Sequence, residues 1–219
     1  MTRIELVDEL RHVVGDRVQP YAWADTRLLN WMAEGQDRFC EKTGYFTDKT
    51  NYTIVTEEGV QSYALSSRII QVKSVWDGTR QLSQFIENDR PVTTTDLSTA
   101  QRPLSWQTDQ ETGMITFYEP MLGGITLTLR VHRKSRLRLN NKTSGQYNAE
   151  PEIPEDCHLG LVEYGAYKAL MDHDRESQDP VKAGEHLAAF NDYVRLGKDM
   201  FERINGASLR VAPSPQYVV

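Results

Sequence analysis

The sequence predicts an α+β protein: an antiparallel bundle of about four helices, an inserted antiparallel β-domain of sandwich or barrel type, and an extended C-terminal arm. Three observations support this prediction. Apolar residues recur at helical spacing near both ends of the chain, they alternate with polar residues between about residues 50 and 139, and no helical period remains after Gly206. A chain of 219 residues is long enough to bury a core of useful size.

Two helices are predicted in the first 48 residues. Thr2 and Glu5 have the spacing of a capping box, and the first helix should bury the stripe Leu6, Leu10 and Val13 and end at Gly15. Asp25 is a good N-cap for the second helix, which should end near Gly44. Its apolar stripe consists of Leu28, Met32, Gly35 and Phe39.

The segment 49–139 reads as strands. Asp77-Gly78 predicts a two-residue hairpin, because a type I′ turn requires positive φ at both central positions. The clearest alternation places one apolar set on one strand face, Ile125, Leu127, Leu129 and Val131, and a polar set on the other, Thr126, Thr128, Arg130 and His132. Strands with one apolar face must pack against another layer, so a sandwich or a barrel is expected, with a long loop over 88–101.

Two further helices are predicted near the C-terminus, and short connections favour an antiparallel hairpin for them. The first should start around Pro154 and share a face between Leu159, Val162, Ala166 and Leu170, while Gly160, Gly165 and Ala169 would admit a close neighbour. The second begins at Asp179-Pro180, an N-cap followed by proline. Its stripe consists of Ala183, Leu187, Phe190, Val194, Gly197, Phe201 and Ile204.

These patterns divide the chain into five segments: helices at 1–48, the β-domain at 49–139, a polar linker at 140–153, the helical hairpin at 154–205 and the arm at 206–219. The arm contains two prolines and more apolar residues than a solvating tail needs. A frayed terminus is the alternative. The residues that we expect to make contacts are Leu209, Arg210, Val211, Pro213, Pro215, Tyr217, Val218 and Val219.

The sequence offers little support for catalysis, a cofactor or a metal site. The five histidines include no pair one helical turn apart, and neither a phosphate-binding glycine loop, a nucleophile elbow nor a C-x-x-C pair occurs. Cys40 and Cys157 are expected to be free and buried. No apolar run approaches the ~20 residues that cross a bilayer, and residues 1–5 do not resemble a signal peptide. A hydrolase with a cleft between helices and strands stays open, as does a sugar- or protein-binding module using Trp106.

One segment of the acidic chain, whose net charge is −6, is locally basic: no acid occurs between Pro120 and Ala149. An edge strand protected by charge is the structural interpretation. The functional interpretation is a positive surface that faces a DNA channel without reading sequence, or that lies at a subunit boundary. The candidate residues are Arg130, Arg133, Lys134, Arg136 and Arg138.

Three segments together resemble the adaptor proteins of the head-to-tail connector in tailed bacteriophages. They are residues 21–34 continuing to 42–45, the strand pair at 63–65 and 70–78, and residues 151–164 continuing to 179–182 and the last helix. Each is a helix start or a hairpin rather than a chemical signature. Ser66 departs from the proline that often follows this strand in the family.

The resemblance implies a structural protein of the virion, present in the host cytoplasm during assembly. It implies a homo-oligomeric ring of twelve subunits that docks beneath the portal protein and provides a platform for further tail or nozzle proteins. The C-terminal arm would clasp the portal and become ordered on docking. Double-stranded DNA would pass through the lumen without sequence recognition, and no membrane is involved.

Overall fold

A computed structural model describes residues 1–84, 102–109, 112–118, 121–137, 139, 149–172 and 178–204. The helices are α1 (Arg3–Val13), α2 (Asp25–Thr43), α3 (His158–Leu170) and α4 (Pro180–Ile204), and a 3₁₀ turn at Glu155–Cys157 leads into α3. The strands are β1 (Thr47–Val55), β2 (Ser62–Ala64), β3 (Ile69–Asp77), β4 (Arg80–Gln81), β5 (Ser83–Gln84), β6 (Ser105–Asp109), β7 (Met114–Phe117) and β8 (Thr126–Arg133). The predicted α+β class is confirmed.

Helix α3 packs against all three other helices, and glycines bring the partners close. A Cβ atom on Gly165 would lie 2.6 Å from Leu10 of α1, and one on Gly160 would lie 2.8 Å from Tyr193 of α4. On α2, a Cβ atom on Gly35 would lie 3.0 Å from the Tyr164 side chain of α3. The predicted close approach at Gly160 and Gly165 is therefore confirmed.

Helices α3 and α4 form the predicted antiparallel hairpin. Gly160 near the start of α3 faces Tyr193, whereas Glu163, further along α3, bonds to His186, which comes earlier on α4. Asp179 caps α4 as expected: its carboxylate accepts from the Lys182 amide at 3.1 Å. Helix α4 therefore begins at a capped N-terminus and runs antiparallel to α3 along the bundle.

The capping box at the start of α1 is confirmed, because Thr2 and Glu5 each bond to the other's backbone N–H. Gly44 ends α2 with φ at 61°. The prediction for Asp25 is wrong by one residue: α2 begins at Asp25, and Ala24 occupies the N-cap position without a side-chain bond. The Asp25 carboxylate bonds instead to Arg11 at 2.5 Å.

The predicted apolar faces are buried along most of their length but are exposed near the helix ends. Leu159 is 42% exposed, because the first turn of α3 directs it away from the core, and Ile204 at the end of α4 is 70% exposed. Val13 is also exposed. The helical core instead includes Leu139 and Ile153, from outside the helices. Periodicity identified the stripes, but the reach of each packing partner decides where burial stops.

The strands form two open four-stranded sheets, in the orders β1-β8-β3-β4 and β2-β7-β6-β5. They pack face to face, so the fold is a sandwich and not a closed barrel. All pairings between the described strands are antiparallel except β5 with β6, which is parallel. The shared core contains Ile54, Val72, Val75, Leu82, Trp106, Ile115, Phe117, Met121, Leu127, Leu129 and Val131.

The predicted hairpin exists, but its turn is shifted by one residue. Asp77 pairs with Arg80, so the two loop residues are Gly78 and Thr79. Gly78 has φ at 59°, and no described residue other than glycine has positive φ. Only the first loop position therefore needs glycine, which is the preference of a type II′ turn rather than the expected type I′.

Three predicted segments fall wholly or largely outside the described residues: the loop 88–101, the linker 140–153 and the arm 206–219. The segment boundaries given above stay predictions. None of the helices in the described part of the chain is both long enough and apolar enough to cross a membrane.

Close packing at Gly197 of α4 can be tested by substitution. A Cβ atom there would lie 2.8 Å from Phe39 Cε2 and 3.3 Å from Thr43, both buried on α2. Gly197→Ala should therefore lower the free energy of unfolding in urea by about 1–3 kcal/mol relative to a matched helix variant. That control is Gly184→Ala, which meets nothing within 4 Å and should gain about 0.5–1 kcal/mol from helix propensity. Equal stability of the two variants would contradict the packing.

Candidate functional site

The basic segment after β8 lies where the sandwich meets the helical bundle. Arg133, at the end of β8, is only 7% exposed. Its guanidinium makes two bonds to Glu152, at 3.2 Å from Nη1 to Oε2 and at 2.5 Å from Nη2 to Oε1. Its Nε lies 3.6 Å from Asp48 Oδ2 of β1. We name the cluster around it the polar junction; Gln36, Asp48, Arg133 and Ser135 are buried, Glu152 is partly buried and Arg136 is exposed.

The polar junction joins strands β1 and β8 to α2 and to the segment that enters α3. Glu152 accepts from the Ser135 hydroxyl at 2.9 Å and from the Arg136 amide at 2.5 Å. Gln36 of α2 donates to Ser135 at 3.0 Å. The guanidinium of Arg136 donates to Asp48. Each of these side chains therefore has a partner in a fixed direction, and together they link the sandwich to the bundle.

The electrostatics of the junction favour its charged forms. Burial alone would raise the pKa of Asp48, but N–H donors from Asn51 and Thr50 and the Arg136 guanidinium outweigh it and hold this pKa well below its usual range. Burial likewise opposes the ionised form of Glu152, and Arg133 with its neighbouring donors lowers that pKa. Arg133 is therefore a compensated buried charge at neutral pH.

The five candidate basic residues have different surroundings. Arg133 and Arg136 belong to the polar junction, and Lys134 pairs with Glu41 of α2 at 2.9 Å. Arg130 is half-buried, and its guanidinium stacks over the Trp76 ring at 4.1 Å. Arg138 lies outside the described residues, as do the eight arm residues from Leu209 to Val219. Three of the five are therefore paired with carboxylates that the sequence did not indicate as partners: Arg133 and Arg136 share Asp48, and Lys134 has Glu41.

The water-facing side of the first sheet is largely open. Residues paired across strands share a face, which assigns to this side Thr47, Thr53, Val55, Gln71, Ser74, Trp76, Gln81, Thr126, Thr128, Arg130 and His132. We name it the outward face. One end meets the bundle, where His132 contacts Gly44 and Phe201. The alternation on β8 predicted Thr126, Thr128, Arg130 and His132 on this face, and the strand register adds Trp76.

A groove of about 130 Å³ lies between α1 and the start of α2. Its lining combines the apolar and aromatic residues Ile4, Val7, Tyr21 and Leu29 with the charged residues Arg3, Asp8, Arg11 and Asp25. Arg11 keeps the adjoining loop in place: it bonds to Asp16 and Asp25, each at 2.5 Å, and to the Trp23 carbonyl at 2.8 Å. Tyr21 stacks on the same guanidinium. No pattern in the sequence indicated this network, which joins α1, the loop that follows it and the start of α2.

The chemistry available in the described residues is limited. No three His, Cys, Asp or Glu side chains among them could hold a metal ion. Both cysteines are free and buried as expected, and burial raises the pKa of Cys40 to about 12 and that of Cys157 to about 11, which disfavours the reactive thiolate. Trp106 is 1% exposed in the sandwich core, so it cannot form a sugar platform.

Comparison with known protein families gives a match along nearly the whole chain. The family described as SU10 adaptor protein matches residues 1–213. The chain belongs to this family of phage adaptor proteins. A search of curated proteins gave no significant match. The resemblance stated from the sequence is therefore confirmed, and the match extends over both the bundle and the sandwich of this adaptor protein.

The name of the family describes a structural adaptor protein. The polar junction, the outward face and the groove between α1 and α2 are consistent with such a role. The junction holds the sandwich against the bundle, and the other two are surfaces on which a protein partner can pack. In the described part of the adaptor, α3 contacts the other three helices, and the polar junction, the Lys134–Glu41 pair and the His132–Phe201 contact connect the sandwich to the bundle.

The polar junction should carry a large part of the stability of the adaptor. Arg133→Met removes the guanidinium that bonds to Glu152 and leaves this partly buried carboxylate with the neutral donors of Ser135 and the Arg136 amide, while Asp48 keeps Arg136. The free energy of unfolding should therefore fall by about 3 kcal/mol. The control is Arg195→Met, which breaks an exposed pair with Asp192 and should cost less than about 1 kcal/mol. Urea titration of both variants checks this. A similar small loss in both would show that the junction is not a major stabilising contact.

Stability should fall in acid through the same cluster. Asp48 and Glu152 have lower pKa values in the folded protein than the ordinary 3.8 and 4.5, so the unfolded chain takes up their protons first. Their stabilisation is complete above those ordinary values and is lost as pH falls below them. Urea titrations from pH 6 to pH 2 should show this loss, with a shallower slope for Asp48→Asn. An unchanged slope in the variant would be evidence against the proposed charged state of Asp48.

Proposed function

We propose that the chain is a subunit of the phage head-to-tail connector, where it forms an adaptor ring that docks on the portal protein. The ring would continue the DNA channel and provide the platform to which tail or nozzle proteins attach. The observation that carries the proposal is the family match over residues 1–213. The role is structural rather than catalytic, it places the protein in the virion at the head-tail junction, and twelve subunits per ring is the expected number.

A connector subunit has to transmit force between the head and the tail without deforming. Two features support that requirement. Glycine contacts bring α3 within close packing distance of all three neighbouring helices. The two Arg133–Glu152 bonds then fix the sandwich to the bundle in one orientation, because a guanidinium and a carboxylate that bond through two atoms each cannot rotate independently.

For portal binding we propose the C-terminal arm, through Leu209, Arg210, Val211, Pro213, Pro215, Tyr217, Val218 and Val219. Helix α4 supports this assignment by where it ends. Phe201, in its last turn, packs against His132 of β8 and against Tyr45 after α2, so α4 ends at the end of the bundle that carries the sandwich. An extended segment leaving a rigid base can add contacts to a partner without changing the subunit.

The basic residues Arg130, Arg133, Lys134, Arg136 and Arg138 are proposed to lie toward the DNA channel or toward a subunit boundary. Their surroundings within one chain differ. Arg133 is committed to the polar junction and Lys134 to Glu41. Arg136 is paired with Asp48 but half-exposed, and Arg130 has no carboxylate partner among the described residues. Arg130 and Arg136 are therefore the members best placed to meet an outside partner.

A protein-binding tail module that acts through the sandwich is the second candidate. The open outward face supports it, because Trp76 and Arg130 together are side chains that often anchor protein interfaces. A sugar-binding version based on Trp106 is not supported, since Trp106 is in the core. In this alternative the sandwich would bind a tail component while the bundle contacts nothing.

The ring proposal is tested by measuring mass in solution with light scattering, first for the full chain alone and then with the portal protein of the same phage. We expect a complex containing a ring of the chain when the portal is present. Deletion of residues 206–219 should abolish portal binding and leave the melting temperature unchanged, because α4 and both cores are retained.

Two results would contradict this proposal. If the intact chain stays monomeric with the portal, the connector role fails and the sandwich module becomes the better candidate. If the shortened chain binds the portal as well as the intact one, the ring can stand but the arm is not the portal contact.

A further inference from the structure

Helix α1 exposes a face on which every charged side chain is acidic. Glu5, Asp8 and Glu9 lie on consecutive turns and reach solvent to different extents, whereas the two arginines of this helix, Arg3 and Arg11, are buried. Asp8 and Glu9 have no ion partner among the described residues. Ile4, which is 47% exposed, lies beside them at the rim of the groove between α1 and α2. We name this surface the acidic face of α1.

The outward face of the first sheet has the opposite character. None of its eleven positions carries a carboxylate, and Lys73 adds a second cation at the bulge between Val72 and Ser74 of β3. Neither Lys73 nor Arg130 has an ion partner among the described residues. Trp76 contributes a half-buried ring under Arg130, and Val55 is exposed nearby. The outward face thus combines unpaired positive charge with exposed apolar atoms.

We propose that the outward face of one copy of this chain packs against the acidic face of α1 in the next copy. The contact joins two different surfaces, so repeating it generates a ring when the rotation closes. It rests on the proposed function, to which it adds the surface that holds neighbouring subunits together. Lys73 and Arg130 would oppose Asp8 and Glu9, while Trp76 and Val55 cover Ile4 and the groove.

A second copy fits this surface better than DNA does. Sequence-independent DNA binding requires many cations along the phosphate backbone, and the outward face offers Lys73 and Arg130. His132 adds little positive charge, since burial and the nearby Lys73 both lower its pKa. Tryptophan and arginine backed by exposed apolar atoms are instead typical of protein interfaces. The same chain supplies the complementary acidic surface.

The test uses two full-length variants whose self-association is measured by sedimentation, with portal protein added if the unmodified chain requires it. Asp8→Lys with Glu9→Lys reverses one surface, and Lys73→Glu with Arg130→Glu reverses the other. Each variant alone should associate at least about tenfold more weakly, because like charges then meet. An equimolar mixture should regain assembly, because the unmodified outward face of the first variant meets the unmodified α1 of the second, and the two reversed surfaces also carry opposite charges. All four substitutions in one chain should restore assembly.

Matched controls reverse exposed charges on α4 that belong to no ion pair in the described residues: Glu185→Lys with Asp199→Lys, and Lys198→Glu with Arg203→Glu. These variants should assemble like the unmodified chain. Circular dichroism and melting temperature check the fold of every variant. Lys73→Glu alone replaces the double substitution if Arg130→Glu unfolds the sandwich.

The outcomes separate this inference from the ring itself. Assembly of both surface variants at the unmodified strength would overturn the contact while leaving the ring intact. Loss of assembly in each variant without recovery in the mixture would also overturn it, because the two surfaces would then not meet each other. Assembly lost only in the α4 controls would move the contact to α4. A chain that never assembles, with or without portal, would remove the proposed function and this contact together.

Discussion

The bonds between Arg133 and Glu152 are the contact on which the arrangement of the two cores depends. A buried guanidinium is costly unless its charge is compensated, and Glu152, through two hydrogen bonds, and Asp48, through its nearby negative charge, do this together for Arg133. The donor and acceptors come from β8, β1 and the segment before α3. Satisfying this one charge therefore requires the sandwich and the bundle to meet in a single orientation.

The bundle obtains its rigidity by a different route. Helix α3 is surrounded because small residues on it and on its neighbours remove the side chains that would hold the helices apart. Tyr164 shows the result: its ring packs on Gly35 and on Phe190, and its hydroxyl donates to Glu34 at 2.7 Å. Apolar packing sets the shape of the bundle, and the hydrogen bonds of the polar junction orient the sandwich relative to it.

This separation of roles suits an adaptor protein. Many of the charges are paired inside the subunit. Among the described residues, the unpaired charges include two sets of opposite sign, a positive one on the outward face and a negative one on α1. The proposed contact between these two sets joins different surfaces of neighbouring copies, and repeating such a contact closes a ring when the rotation allows it. The polar junction, the outward face and the acidic face of α1 consist of different side chains.

Sequence alone determined the class of fold, the four helices and the inward set of β8, because these depend on local spacing. Thr2 with Glu5 marked a helix start through bonds within a few residues, and the three segments indicated the adaptor family from local pattern. Only the tertiary structure decided how far each apolar stripe is buried, as at Leu159, and where charged side chains find partners. Arg133 read as a surface cation because its carboxylate partner, Glu152, lies outside the strand that carries it. Long-range partners leave no periodic trace in a sequence, and the fold alone brings them together.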